Sequence, residues 1–333
     1  MTKLLFFGEP LIRITPTDCR KIENQVKCEV FYGGSEINIA RTLSGMNLST
    51  RLITALPQNA MGDSFIHYLN SSGIETDCIC RKGERIGLYY SENGFGVRSS
   101  QVYYDRANTS IGEIDLSQIE MDALFKDISH FHFSGITVAI SPHVRDILHL
   151  LLEEAKNRQI TISTDLNLRT KMISVNDAKK EFSIYAKYAD ICFGIDPIMI
   201  NETDIKMFNR EEATVEEIES RMRDLQHVYG FKAIFHTQRS VDSHQINHYK
   251  AYGLIDSFET SIEMTTPILE RIGSGDAFVS GALYQLIHQA PLKEVLNFAV
   301  ASGTLKCTIQ GDSMFEPAST IYQLINSSKE IIR

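Results

Sequence analysis

Apolar and polar residues alternate along this chain with two different periods, and the places where the period changes divide it. Lys3 to Phe7 is a short apolar run that stops at Gly8-Glu9, as a buried strand would. Residues 10–32 then alternate (Leu11, Ile12, Ile14, later Val26, Cys28, Val30, Tyr32) without a helical period. This predicts a small antiparallel sheet outside the main one. Arg51 to Leu56 reads as a strand, and Ala60-Met61-Gly62-Asp63 precedes a helix that runs to about Ser72, ended by Gly73. From Cys78 to Tyr104 the alternation returns, with a Glu92-Asn93-Gly94 turn between two runs. An Asn-Gly pair between alternating runs signals a hairpin. Residues 10–32 and 78–108 together predict an all-β patch placed as a lid.

After residue 115 the rhythm becomes α/β. Strands are expected at 130–133, 161–164, 190–193 and 233–236. Helices are expected at 143–157, 174–188, 213–229, 276–290, 293–306 and 317–330. Such alternation implies a parallel sheet covered on both faces. The fold class expected is α/β, with residues 1–333 as one domain that includes the lid.

Composition narrows the function classes. With 333 residues, 43% hydrophobic and 23% charged, a sizeable core is available. A net charge of −9 argues against a nucleic-acid surface. The six cysteines contain one close pair, Cys78 and Cys80, with no second pair to complete a zinc site. They read as free thiols of a reducing, cytoplasmic compartment. The apolar run at the N-terminus is too short for a signal peptide, and no stretch approaches the roughly 18 apolar residues of a membrane span.

Candidate chemistry concentrates at Gly273-Ser274-Gly275-Asp276, which opens an apolar helical run. Glycines let backbone amides approach a phosphate, and a helix N-terminus favours anions. An aspartate there repels a phosphate, but makes sense as the base that takes a proton from an attacking hydroxyl. An ordinary Gly-Asp helix start is the competing reading. No Gly-Lys-Ser/Thr follows, so this is not a Walker loop, and the third glycine of a dinucleotide fingerprint is missing. A second turn, Gly33-Gly34, leads into a helix bearing Asn38, and Asp165, Asn167 and Arg169 alternate just beyond a predicted strand. Gln310-Gly311-Asp312 follows a predicted helix.

Taken together, the Gly33-Gly34 turn with Asn38, Met61-Gly62-Asp63 and Gly273-Ser274-Gly275-Asp276-Ala277-Phe278 resemble the ribokinase-like, PfkB-type carbohydrate kinases over nearly the whole chain. Within them, Gly8-Glu9-Pro10, Gly87-Leu88-Tyr89, Tyr104-Asp105-Arg106, Asp165-x-Asn167-x-Arg169 and Gly311-Asp312 are most similar to 2-keto-3-deoxygluconate kinases. The resemblance implies a three-layer α/β/α sandwich with a mostly parallel sheet and a β lid. It implies transfer of the ATP γ-phosphoryl to a terminal hydroxyl, with Mg²⁺. Asp276 would be the base, and Gly273, Ser274 and Gly275 the anion hole. Gly34, Asn38, Tyr89, Tyr104, Arg106, Arg169 and Asp312 would bind a sugar acid. A planar guanidinium pairs bidentately with a carboxylate, which suits Arg106 and Arg169. Asn167, Arg169, His236, Gln238, Gly273 and Gly275 would face the nucleotide. The lid would pair two subunits, because its edges need covering.

Several positions depart from the family pattern. Glu270 stands where the second motif usually opens with Asp. Ile195-Asp196-Pro197-Ile198 lacks the Asn-x-x-Glu tied to Mg²⁺, so no metal ligand is assigned. The nucleotide loop, usually glycine-rich, reads His236-Thr237-Gln238-Arg239-Ser240-Val241-Asp242, and Val300 occupies the place of an adenine-side Asn. A kinase of another sugar, or a non-catalytic sugar-binding relative, remains an alternative.

Overall fold

The computed structural model describes residues 2–244 and 246–326. Its first strand, Lys3–Phe7, pairs in parallel with Ser49–Ile53 on one side and Ile128–Ser134 on the other. Parallel pairing needs crossover helices, and these cover both faces, so the central strands are largely buried. The period-two geometry of the strand splits its side chains between two cores. Leu5 and Phe7 join Phe131, Phe133 and the buried sides of Pro142–Asn157, Val175–Ala186 and Val215–Tyr229. Leu4 and Phe6 join Leu52 and the buried sides of Ser35–Gly45, Ala60–Ser71, Ser274–Ile287 and Leu292–Lys306. The result is helix layer, sheet, helix layer.

The ten-stranded sheet continues through Thr161–Asp165, Ile191–Phe193 and Ala233–Val241, all parallel, and ends in an antiparallel edge. That edge departs from the sequence expectation. The strand expected at 233–236 runs on to Val241 and forms a hairpin with Ile246–Leu254, which also pairs with Phe258–Thr260 and Met264–Pro267. The expected helix at 276–290 spans Ser274–Ile287, and the one at 317–330 appears as Ala318–Asn326, its remainder lying outside the described residues.

A separate four-stranded sheet is built from the two alternating segments. Its order is Cys28–Gly33, Leu11–Pro16, Gly87–Glu92, Gln101–Asp105. The two outer pairings are antiparallel, but the central one, Leu11–Pro16 with Gly87–Glu92, is parallel and not antiparallel as the alternation predicted. The Asn93-Gly94 pair is not a two-residue turn either. The second strand resumes only at Gln101, across a loop in which Phe95 and Arg98 form an isolated bridge.

Candidate active site

Two helix N-termini meet at the edge between the main and small sheets. Gly273 precedes the helix Ser274–Ile287 with φ 78°, and a Cβ there would overlap the carbonyl oxygen of Asp312. Only glycine fits this turn without strain. Gly34 precedes the helix Ser35–Gly45 with φ 125°, where a Cβ would overlap the Glu9 carbonyl oxygen.

Asp276, in the first turn of its helix, is buried between these elements. Its carboxylate accepts hydrogen bonds from Ser35 Oγ at 2.9 Å and Asn38 Nδ2 at 2.7 Å. Asn167 Nδ2 in turn donates to Ser35 Oγ at 3.2 Å. Asn38, Asn167 and Asp276 are thus brought together from three distant segments. Burial pushes the Asp276 carboxyl up, and the hydrogen bonds from Asn38 and Ser35 and the charge of Arg169 pull it back. Neighbouring Asp165 is raised to about 7, first by burial and then by the negative charge of Asp276. A poised, desolvated carboxylate can accept a proton from a hydroxyl placed beside it.

The small sheet presents another group of the expected residues. Tyr89 and Tyr104 face each other across its strands, with ring centroids 6.4 Å apart. The Tyr89 hydroxyl donates to Asp312, and burial pushes this phenol well up. Asp312 also forms an ion pair with Arg13, which donates to Glu270, and Glu270 accepts the Gly311 amide at 2.8 Å. Tyr89 and Asp312 are therefore committed to each other and to a buried network supporting the 270–276 turn. Asp312 does not stand as an isolated acid over a sugar pocket.

Arg106 and Arg169 differ in the same way. The Arg106 guanidinium pairs with the Glu9 carboxylate, Nε to Oε2 at 2.8 Å, and lies 5.6 Å from the Tyr104 ring centroid. Thr109 Oγ1 donates to the other Glu9 oxygen at 2.8 Å. The charge of Arg106 is already met. Arg169 is exposed and, among the described residues, has no carboxylate partner. His236 and Gln238 are held within the sheet. Burial pushes His236 down to about 4, its ring stacks on Tyr252, and Gln238 Oε1 accepts from the Tyr252 hydroxyl at 2.8 Å. No contact joins either to Gly273 or Gly275 among the described residues.

Among the participants that escaped the sequence reading as site residues are Ser35, Glu9, Arg13 and Asp165. Ser35 and Asp165 lie inside motifs already singled out, so adjacency could have found them. Nothing local distinguishes Arg13.

The pfkB family carbohydrate kinase model matches residues 1–318. The chain is a member of that family. Its kinase fold superposes on the 2-dehydro-3-deoxygluconokinase of Thermotoga maritima with a TM-score of 0.90 and 30% identity, covering 98% of each chain. It is 29% identical over 311 residues to the 2-dehydro-3-deoxygalactonokinase of Haloferax volcanii, covering 93% of this chain and 92% of that one. It is 26% identical over 330 residues to the 5-dehydro-2-deoxygluconokinase of Clostridium beijerinckii, covering 97% of this chain and 91% of that one. The kinase is an ATP-dependent sugar kinase, as its family implies. No helix among its described residues is long and apolar enough to cross a membrane.

Proposed function

We propose that this kinase transfers the γ-phosphoryl group of ATP to the terminal hydroxyl of 2-keto-3-deoxygluconate. The observation that carries the reading is a buried, hydrogen-bonded Asp276 within the field of Arg169, an exposed guanidinium that forms no close ion pair with a carboxylate among the described residues. A sugar acid supplies both missing partners: a carboxylate for Arg169 and a hydroxyl for Asp276. The names of the relatives, all kinases of dehydro-deoxy sugar acids, support the same class.

Asp276 accepts the hydroxyl proton, held in place by Ser35 and Asn38. The amides of Gly273, Ser274 and Gly275 face the charge on the transferring group. Mg²⁺, when bound with the nucleotide, neutralises phosphate charge. Among the described residues no group of three His, Cys, Asp or Glu side chains is gathered to hold a metal. The kinase acts as one catalytic unit, with the four-stranded sheet closing over the sugar to exclude water. Val30 and Tyr103, about half exposed on the outer strands of that sheet, support a homodimer formed through it. Six free cysteines support a cytoplasmic setting.

The test is a substrate panel with purified protein: 2-keto-3-deoxygluconate, its galactonate epimer, 5-dehydro-2-deoxygluconate, fructose and ribose. Asp276→Asn and Arg169→Ala are assayed beside the wild type. The sugar acids should lead. Asp276→Asn should lower kcat by about a hundredfold or more, and Arg169→Ala should raise KM for sugar acids selectively. Preference for a neutral sugar overturns the substrate class, and near-normal turnover by Asp276→Asn overturns the base.

A further inference from the structure

The strand Ala233–Val241 has no glycine after His236, and its backbone stays in register with Ile246–Leu254 as far as Val241. The chain does not turn into an amide-lined loop here. What this stretch offers a ligand is side chains. One of them is Arg239. Its guanidinium lies 4.0 Å from the ring centroid of Tyr249, its cross-strand partner, and Tyr249 is fully buried. Its Nη1 donates to Ser274 Oγ at 2.6 Å. Ser274 Oγ donates onward to the Arg271 carbonyl at 2.8 Å. Arg239 is therefore fixed in place, by a stacking platform and a hydrogen bond, at the first residue of the catalytic helix.

A second arginine is linked to it: Arg271, an exposed residue whose carbonyl accepts the Ser274 hydrogen bond. Partial desolvation of its guanidinium, and then the positive charge of Arg239, pull Arg271 below the ordinary arginine range. Among the described residues neither arginine forms an ion pair with a carboxylate, although the chain carries an excess of acids. Two like charges held close together repel, and here they also sit at the positive end of the helix Ser274–Ile287. Elsewhere in this protein buried arginines are matched: Arg13 by Glu270 and Asp312, Arg106 by Glu9, Arg221 by Asp204. An unmatched pair next to the anion-hole amides is relieved by a polyvalent anion. The flat, forked donor set of a guanidinium suits phosphoryl oxygens.

We propose that Arg239 and Arg271 together bind the polyphosphate tail of the nucleotide, taking by side chain the role that a glycine-rich loop performs with backbone amides. The site rests on the nucleotide use already assigned. It makes phosphate number, not the base, the main determinant of nucleotide affinity on this side of the kinase.

Calorimetric titration of the full chain with ATP, ADP and AMP, without sugar, tests this on the wild type and on Arg239→Met, Arg239→Lys and Arg271→Met. Each methionine variant should weaken ATP and ADP about ten- to a hundredfold and AMP much less. The lysine variant should fall between, since it keeps the charge and loses the fork. Wild-type affinity for ATP should also drop with added salt more steeply than that of either methionine variant. Thermal melts check folding, and exposed Arg271 provides a variant that leaves the Tyr249 platform untouched. Unchanged ATP affinity in both methionine variants overturns the site while leaving the kinase reading intact. So does an equal loss for AMP and ATP, or a fall in kcat with the ATP dissociation constant unmoved, since either means the arginines only brace the loop. A wild type that binds no nucleotide overturns nucleotide use and the site together.

Discussion

Arg13 Nε lies 2.7 Å from Asp312 Oδ1, and both side chains are buried. Arg13 belongs to the small sheet and Asp312 adjoins the catalytic turn, so one guanidinium fastens the two parts of the molecule together. The contact is an ion pair and not an aligned hydrogen bond, and the hydrogen-bonded partner of Arg13 is Glu270. Arg13→Met removes the ion-paired guanidinium from two buried carboxylates and leaves only the charge of nearby Lys306 against them. Breaking a buried pair from one side costs about 3–5 kcal/mol. Urea denaturation should show a loss of that size, with part of it recovered when Glu270→Gln and Asp312→Asn are added. A single variant within about 1 kcal/mol of the wild type means that Arg13 carries no such load.

Under the proposed mechanism, with Asp276 as the base, the hydrogen bond from Asn38 to Asp276 should set the acid limb of the reaction. Burial raises the Asp276 carboxyl, and donors to its charged form lower it. Removing the Asn38 donor leaves burial less opposed, so the pKa rises further. As the proposed base, Asp276 works when ionised, and Asn38→Ala should therefore move the acid limb of the kcat profile to higher pH. Activity should fall more on the acid side of neutrality than on the alkaline side. A limb that stays in place rules out this role for Asn38.

Gly273 and Gly275 should respond very differently to alanine. Gly273 has φ 78° and no room for a Cβ beside the Asp312 carbonyl, whereas a Cβ on Gly275 would meet nothing within 4 Å. A left-handed alanine costs about 1–2 kcal/mol before any clash. Gly273→Ala should lower the melting temperature clearly and displace the turn that carries Asp276. Gly275→Ala should change stability by no more than about 0.5 kcal/mol. Equal melting temperatures would mean that the turn can shift without cost.

Two buried histidines should make the fold sensitive to acid. Burial pushes His132 down to about 3 and His236 to about 4, against 6.5 for an ordinary histidine. Between those values the unfolded chain binds more protons than the folded one, so stability rises with pH. Their contribution is complete above about 6.5 and is lost as pH falls toward 4 and then 3. His236→Phe keeps an aromatic ring against Tyr252 and removes one titrating group. Urea midpoints measured from pH 8 down to 4.5 should decline less steeply for this variant than for the wild type, and parallel curves would exclude His236 as a cause.

Sequence pattern revealed the parts of this kinase that are local. Gly273 to Asp276 announce themselves because glycine, helix start and acid fall within four positions, and the helices show because their apolar residues recur at a fixed spacing. Arg13 was hidden because its partner Glu270 is 257 residues away, and a single arginine in an alternating run reads as surface. The strand Ile246–Leu254 was hidden for another reason. Its half-buried residues include Ile246 while Asn247 is buried, the reverse of what alternation rewards. The parallel join in the small sheet was out of reach, because the period of a strand carries no information about its neighbour's direction.

That parallel join also bears on the order in which the chain acquires its structure. A hairpin can form on its own, but Leu11–Pro16 and Gly87–Glu92 are far apart in sequence and must be delivered to each other. Leu11–Pro16 follows Lys3–Phe7, whereas the main-sheet strand that precedes Gly87–Glu92 is Ile74–Glu75, on the far side of Ser49–Ile53. Closing such a long loop has an entropic cost that must be met before the contact repays it. The surface over the catalytic turn is accordingly a late acquisition. In pulse-labelled refolding, amides of Leu11–Pro16 should gain protection from exchange after those of Lys3–Phe7, although the two segments are separated by only Gly8, Glu9 and Pro10.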